Sequence, residues 1–247
     1  MSKFYAKNGQ FWLDGQPVLI QSGEFHYFRT PRAEWRQRLD LLKSAGFNAV
    51  ASYIPWLWHE VEEGVTDLDG HSHPMRDLAG FLDLAAEMGL WVIARPGPYI
   101  NAETIDEGIP PWVLNHYPQV AVVNRGEPVK DFVSYQHPDY LSCVARWYQA
   151  VFEVLTPRQI THGGKIIMVQ LDNEMGMIQW VRNMLDVNPD TLARMAAYVQ
   201  ARYGDAALER YPGRSLADTL RDALSIPTHP CAAQGLEDYK DFYRVYL

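Results

Sequence analysis

Only two of the 247 residues are cysteine, Cys143 and Cys231. Two are too few for a disulfide framework of the kind that holds small secreted folds together. No run approaches the ~18 consecutive apolar residues of a membrane span. The opening stretch MSKFYAKNGQFWLDG has no apolar core of the kind a secretory signal needs. A chain with no membrane partner and a cytoplasmic location is therefore the expectation. Cations are in the minority, with 22 Lys and Arg against 30 Asp and Glu and a formal net charge of −8. Affinity for nucleic acid is built from clustered Lys and Arg, so this balance argues against a nucleic-acid partner. No strand-like segment runs into GxGxxG or GxxxxGKS/T, the glycine turns that cradle phosphates. Nucleotide binding lacks its signature.

The composition that remains is globular, at 47% apolar and 21% charged. Aromatic residues make up 13% of the chain (8 Trp, 14 Tyr and 9 Phe), and ring-rich clefts suit sugars and other flat-faced ligands. Two turn dipeptides, Asn8-Gly9 and Asp14-Gly15, predict a hairpin over residues 1–17, because these residues tolerate the positive φ of tight turns. A strand–helix rhythm then repeats four times across 18–203. Its strands are VLIQSGEFHYF, FNAVASYIPW, LWVIARPGPYI and KIIMVQLDNE. Its helices begin at Thr30-Pro31, near Leu78, at Pro138 and near residue 189, each with apolar residues at helical spacing. Residues 204–235 read as an insertion beside the active-site face, and 236–247 as the start of a truncated helix.

Continuous apolar strands covered by amphipathic helices predict a parallel sheet buried on both faces. A doubly wound sheet and a (β/α)8 barrel both fit that pattern. What decides between them is the strand ends. Glu24 and His26, Tyr53 and Trp56, Arg95 and Tyr99, and Asn173 and Glu174 fall at the C-terminal ends of the four strands, where a barrel places its active site. The expected fold class is α/β, a TIM (β/α)8-type barrel of which about four βα units are present.

Glu174 follows an apolar strand and is placed at the mouth. A carboxyl partly desolvated among aromatics has a raised pKa and can stay protonated as a general acid. On the dipeptide alone, Asn173-Glu174 reads equally as the cap of a following helix. Asn173 has both a donor and an acceptor for a sugar hydroxyl. Arg95-Pro96-Gly97-Pro98 forces an abrupt exit from the third strand and presents Asn101, Ala102 and Glu103 from a rigid platform. Glu103 reads either as a ligand contact or as a structural partner of Arg95 or another base.

Four blocks, in order, carry a resemblance. They are residues 22–60 (SGEFHYFRTPRAEWRQRLDLLKSAGFNAVASYIPWLWHE), 95–114 (RPGPYINAETIDEGIPPWVL), the stretch from Arg125 to Tyr135, and 166–176 (IIMVQLDNEMG). In these blocks the chain resembles family 35 glycoside hydrolases, the β-galactosidase family of retaining barrel glycosidases. The resemblance implies that Glu174 is the catalytic acid/base and that Asn173 binds the sugar 2-hydroxyl. It also implies that Tyr53, Asn101, the Ala102 backbone and Glu103 line the subsite for a terminal galactose. The implied partner is a β-galactoside or related carbohydrate, and the implied chemistry uses two carboxyls with no metal and no organic cofactor.

The sequence departs from the family at Asp172, where Glu is common, and at Met175, where Tyr is common. It departs again at Thr104-Ile105-Asp106-Glu107-Gly108, where the family is more often glycine-rich. These departures leave open a related barrel glycosidase acting on another β-linked sugar. Retaining hydrolysis also needs a nucleophilic carboxylate, which the family supplies from a late strand. None of the later acids, Glu209, Asp218, Glu237 or Asp238, follows an apolar strand. The expectation is an N-terminal fragment that is inactive alone; a non-catalytic sugar-binding module is the alternative. His59, His71 and His73 lack a further ligand at zinc-like spacing. His26 reads as a structural residue of the mouth, and Trp56 and Trp58 read as either core or substrate platform.

Overall fold

The computed structural model describes residues 2–174 and 184–246. Met175 and Gly176, which close the fourth sequence block, lie outside the described residues. In chain order the strands are β1 (Phe4–Lys7), β2 (Gln10–Leu13), β3 (Gln16–Val18), β4 (Ser22–Glu24), β5 (Ala49–Tyr53), β6 (Trp91–Gly97), β7 (Ala121–Asn124), β8 (Glu127–Val133) and β9 (Ile166–Leu171). The helices are α1 (Trp35–Ser44), α2 (Trp56–His59), α3 (Leu78–Glu87), α4 (Pro111–His116), α5 (Pro138–Leu155), α6 (Pro189–Tyr203), α7 (Ala206–Arg210), α8 (Leu216–Ser225) and α9 (Ala232–Tyr246). The chain groups into two compact units, Met1–Trp112 with Val144–Asn173, and Val113–Cys143 with Glu174–Leu247.

The first unit opens with an antiparallel meander, β1-β2-β3. Its turns fall at Asn8-Gly9 (φ 52 and 74) and Asp14-Gly15 (φ 49 and 81), the paired positive φ of a hairpin turn. The expected hairpin therefore gains a third strand. The parallel sheet follows, in the order β4-β5-β6-β9. Ser22 pairs with Ala49, Ala49 with Trp91 and Ala94 with Val169, so all four strands point one way. Four of the five residues of β5 are buried, as a strand covered on both faces must be.

The first of these strands is much shorter than the run VLIQSGEFHYF suggests. After Glu24 the chain turns, and Tyr27–Arg29 form a 3₁₀ turn. Side-chain packing overrides the strand pattern there. Tyr27 is fully buried, with its ring 4.8 Å from that of Phe81 and edge-on to Trp35 at 5.8 Å. Trp35 donates its Nε1–H to the carbonyls of Tyr27 and Thr30. Helix α1 lies close against β4: a Cβ at Gly23 would sit 2.7 Å from Leu42 Cδ1, so that side chain would have to shift. Helix α3 starts where Asp77 accepts the Gly80 N–H at 2.8 Å, an N-cap bond worth about 1 kcal/mol. It buries Leu78, Phe81, Leu82 and Ala85.

Behind the strand ends lies a tryptophan core. Trp56, Trp112 and Trp147 are 0–5% exposed, with Trp56 stacked on Trp147 at 6.1 Å and edge-on to Trp112 at 5.6 Å. Trp56 thus belongs to the core rather than to a substrate platform. Trp58 is half-buried, and the Arg76 guanidinium covers its ring at 4.9 Å. His59 has both nitrogens occupied, Nδ1 on the Asp67 carbonyl at 2.6 Å and Nε2 on the Tyr27 hydroxyl at 2.5 Å. A carbonyl can only accept, so Nδ1 carries the proton and Nε2 accepts from the tyrosine. Burial holds its pKa down to about 4, which keeps the ring neutral.

The second unit holds the hairpin β7–β8 and a helical cluster. The hairpin closes through Arg125-Gly126 (φ 53 and 86), with Asn124 paired to Glu127. The strand–helix pattern did not reveal it, because Arg-Gly is a weaker turn signal than Asn-Gly and Pro128 interrupts the strand run. Helices α6, α8 and α9 share one core through Leu192, Met195, Val199, Leu220, Leu224 and Phe242. Residues 204–235, expected as an insertion, contribute Ala207 and Tyr211 to that core. The last helix begins at Ala232, four residues before the apolar periodicity suggests.

Two buried carboxylates tie this unit together. Asp186 accepts from the Ser134 hydroxyl at 2.6 Å, the Thr191 hydroxyl at 2.8 Å and the Asn188 N–H at 3.0 Å. Asp238 accepts from Tyr211, Tyr203 and Arg210 at 2.6–2.8 Å. Burial works to raise the Asp238 pKa, and the bonds from Tyr211, Arg210 and Tyr203 outweigh it and lower the value. No helix among the described residues is long and apolar enough to cross a membrane.

Candidate active site

The C-terminal ends of the four parallel strands meet at one guanidinium. Arg95, near the end of β6, makes an ion pair with Glu24 of β4 and donates to the Tyr53 hydroxyl of β5. It also donates to Asn173 Oδ1, two residues past β9, at 3.0 Å. Its guanidinium lies 3.7 Å from the centroid of the Tyr53 ring, close enough for a cation–π contact. The parallel register explains the meeting. Tyr53 is the direct partner of Arg95 across β5 and β6, and Gly97 pairs with Leu171. The arginine fork has donors enough to hold three acceptors at once, which a lysine would do only as a point charge.

Asn173 is 8% exposed and almost fully engaged. Oδ1 accepts from Arg95 and from Gln170 Nε2, both at 3.0 Å, and Nδ2 donates to the Ile100 carbonyl at 2.9 Å. The network fixes which way the amide faces, because Arg95 can only donate and the Ile100 carbonyl can only accept. Through Ile100 the same amide holds the loop that follows β6.

In that loop Asn101, Ala102 and Glu103 take left-handed φ values of 57, 50 and 51. Each costs a non-glycine residue roughly 1–2 kcal/mol. The surroundings over-determine the shape. Ile100 and Asn101 both donate backbone N–H to the Glu107 carbonyl, at 2.9 and 3.1 Å, and Thr104 bonds back to the Asn101 carbonyl at 2.7 and 2.9 Å. Arg29 donates to the Ala102 carbonyl. Gly108 (φ 96) closes the loop, and a Cβ there would meet Ile100 Cγ1 at 2.5 Å. Glu103 is exposed. Of the two readings of Glu103, the structure removes the pairing with Arg95, whose bonds go to Glu24, Tyr53 and Asn173.

His26 lies beside the cluster, its ring centred 5.4 Å from that of Tyr53 and its Nε2 3.9 Å from a Glu24 oxygen. Burial lowers its pKa, aided by Arg29 and Arg95 and opposed by Glu24 and Glu103. Its buried Nδ1 and Arg95 Nε have no hydrogen-bond partner among the described residues.

Glu174 follows Asn173 directly. It is exposed, with φ 52, after Asp172 at φ 60. The two left-handed residues turn the chain out of β9, and the carboxyl is not desolvated in the way the sequence suggested. By the grouping of contacts, Asn173 closes one segment of the first unit and Glu174 opens one of the second.

The buried carboxyl is instead that of Asp172. It accepts the backbone N–H of Asn173 at 2.8 Å, while its own N–H donates to the Gly97 carbonyl at 2.7 Å. Burial raises its pKa to about 7, against hydrogen bonds from the backbone of Asn173 and Tyr99. A folded pKa above the unfolded value means that the folded state holds an extra proton between about pH 4 and 7. Its contribution to stability is therefore complete below about pH 4 and declines as pH rises to about 7. Asp172→Asn is expected to remove about 2–3 kcal/mol of the stability difference between pH 5 and pH 8. Thermal unfolding of both proteins at both pH values measures this; an unchanged difference refutes it.

Two cavities lie elsewhere. One of about 240 Å³ opens at the other end of the sheet, lined by Val92, Arg158, Lys165 and Ile166. One of about 440 Å³ in the second unit is lined mainly by apolar residues, among them Leu185, Leu224 and Leu236. No group of three or more His, Cys, Asp or Glu able to hold a metal occurs among the described residues.

A parallel sheet with an arginine-centred polar cluster at its strand ends defines an α/β protein with a candidate active site at that face. The family model for glycosyl hydrolases family 35 matches residues 10–211, and the chain belongs to that family. It is 41% identical to the exo-beta-D-glucosaminidase of Thermococcus kodakarensis, over 70% of this chain and 23% of that protein. It is 39% identical to the beta-1,2-glucosyltransferase of Ignavibacterium album, over 81% and 28%. To mouse beta-galactosidase it is 41% identical, over 68% and 23%. The chain thus spans about a quarter of the length of these relatives. A beta-galactosidase from Marinomonas ef1 shares the fold with a TM-score of 0.65, at 16% identity, covering 91% of this chain and 34% of that one.

Proposed function

We propose that the chain forms the N-terminal part of a retaining exo-glycosidase barrel that hydrolyses terminal β-galactosyl residues. Residues 18–203 carry four of its βα units, built on β4, β5, β6 and β9. Residues 204–247 extend the helical cluster of the second unit. Glu174 is the acid/base, Asn173 meets the sugar 2-hydroxyl, and Tyr53, Asn101, the Ala102 backbone and Glu103 line the subsite. The observation that carries this reading is the convergence of Glu24, Tyr53 and Asn173 on Arg95. It gathers four strand ends at the face where barrels do their chemistry.

A second carboxylate about 5–5.5 Å from the first completes retaining hydrolysis. The part of the relatives' length that this chain does not span is its proposed source. With two carboxyls the reaction runs by proton transfer and a covalent glycosyl-enzyme. The test is a panel of 4-nitrophenyl β-glycosides with a protein that carries this chain and extends to the relatives' length. Turnover of the galactoside with retention supports the proposal. Turnover of another β-glycoside alone moves the assignment to a related specificity, and binding without turnover supports a sugar-binding module.

Arg95→Lys is expected to keep the charge and the fold but loosen Tyr53 and Asn173. A point charge cannot hold three acceptors in fixed directions. kcat/KM should fall about 10–100-fold, mostly in kcat. Steady-state kinetics beside circular dichroism measures this, and unchanged kcat would show that the cluster is only structural.

A further inference from the structure

We propose that the cavity of the second unit binds a small amphipathic carboxylate, with its apolar body between α8 and α9 and its charge on Arg125. The proposal is independent of the sugar chemistry at the strand ends. The cavity holds about 440 Å³, a size that admits a small molecule. Leu185, Leu224 and Leu236 supply apolar wall, and Arg125 is the one charged residue among the described residues that line it.

The walls are fixed by contacts of their own, so the cavity is not loose packing. On one side the β7–β8 hairpin is tied down. Val187 donates its N–H to the Val123 carbonyl at 2.7 Å, and the Asn188 amide donates to the Gln119 and Ala121 carbonyls, both at 3.0 Å. On the other side α8 and α9 touch closely: a Cβ at Gly235 would lie 3.1 Å from the Ala223 Cβ. Both walls are therefore preformed.

The lining selects the ligand by charge and by shape. Arg202, Arg210 and Arg244 of the same unit are each held by an aspartate. Arg125 is held by no carboxylate among the described residues. A guanidinium stays charged at any working pH, and its fork matches a carboxylate in two parallel bonds. A second polar group is at hand in Ser225, the last residue of α8, which also lines the cavity. Its hydroxyl is buried and makes no hydrogen bond among the described residues, although a helical serine can bond back to the carbonyl four residues earlier. Turning it toward a ligand oxygen breaks no bond. A nucleotide or sugar phosphate would instead press its hydroxyls against leucine with nothing to pair them, which is costly. One anionic group on an apolar body fits.

The experiment titrates octanoate into the longer protein at pH 7 by isothermal titration calorimetry, beside octanol, octylamine and acetate. The expected result is one octanoate per chain with a Kd of about 1 mM or tighter. Octanol should bind about tenfold more weakly or worse, because it lacks the charge-assisted pair. Octylamine and acetate should not bind at the same concentrations. Arg125→Met removes the charge and keeps an apolar stem; it should weaken octanoate about tenfold or more and leave octanol nearly unchanged. Ala233 lines the same cavity from α9, and Ala233→Phe, which puts a ring there, should abolish binding of both. Arg125 and Ala233 are exposed, so both variants are expected to fold, and circular dichroism checks this. No octanoate binding overturns the proposal, and so does binding that neither variant weakens. Octanol or octylamine binding as tightly as octanoate also overturns it, because the guanidinium then plays no part.

Discussion

Glu174→Gln, in a catalytically complete protein carrying this chain, is expected to lower kcat about 10³-fold on substrates with poor leaving groups. An alkoxide leaving group must take a proton as the glycosidic bond breaks, and a positioned acid contributes about 10²–10⁴-fold to such a step. Glutamine keeps the shape and loses the proton. On 2,4-dinitrophenyl glycosides the same variant should lose less than about 10-fold in the bond-breaking step, because that leaving group departs without protonation. Glu174 is exposed and left-handed after β9. Rates on both substrate types, measured in parallel, decide the matter. Equal loss on both would remove Glu174 from the acid role and return it to the helix-cap reading.

The elements that were legible in the sequence are those specified by local rules. Asn8-Gly9 and Asp14-Gly15 set the meander, because turn dipeptides act through their own φ. Helices α3 and α5 begin within a residue of where their caps and apolar periods place them. The polar residues at the ends of β4, β5, β6 and β9 were readable as a group, since each follows its strand. What was not readable is how they connect. Nothing in the local sequence says that Arg95, rather than Glu103, is the common partner of the strand ends; that follows from the parallel register of Tyr53 on Arg95. Asp172 is a similar case. It appeared in the sequence as a departure, and only burial gives it a pKa near 7. The β7–β8 hairpin stayed hidden because its Arg125-Gly126 turn carries little signal and its strand contains Pro128. Strand β4 is shorter than the run VLIQSGEFHYF suggests, because Tyr27 has its partners in the core at Phe81, Trp35 and His59.

Trp147→Ala is expected to be the most destabilising single change in the first unit. The indole is fully buried, stacks on Trp56 and on His59 at 6.1 and 6.3 Å, and donates its Nε1–H to the Pro96 carbonyl at 2.8 Å. Removing a buried tryptophan costs about 3–5 kcal/mol through lost burial and the cavity left behind. Leaving the Pro96 carbonyl without its donor adds about 1 kcal/mol or more. Because Pro96 sits one residue past Arg95, the loss also reaches the strand exit that carries Ile100 to Asn173. The neighbouring Tyr148 hydroxyl, on the Gly97 carbonyl at 2.6 Å, holds only part of that exit. Trp147→Phe separates the two effects: it keeps most of the apolar volume and loses the hydrogen bond, so about 1–2 kcal/mol is expected. Denaturant unfolding of the alanine and phenylalanine variants beside the parent measures both. An alanine variant within about 1 kcal/mol of the parent would mean that Trp147 packs more loosely than its stacking distances indicate. A phenylalanine variant as damaged as the alanine one would shift the weight from the packing to the bond on Pro96.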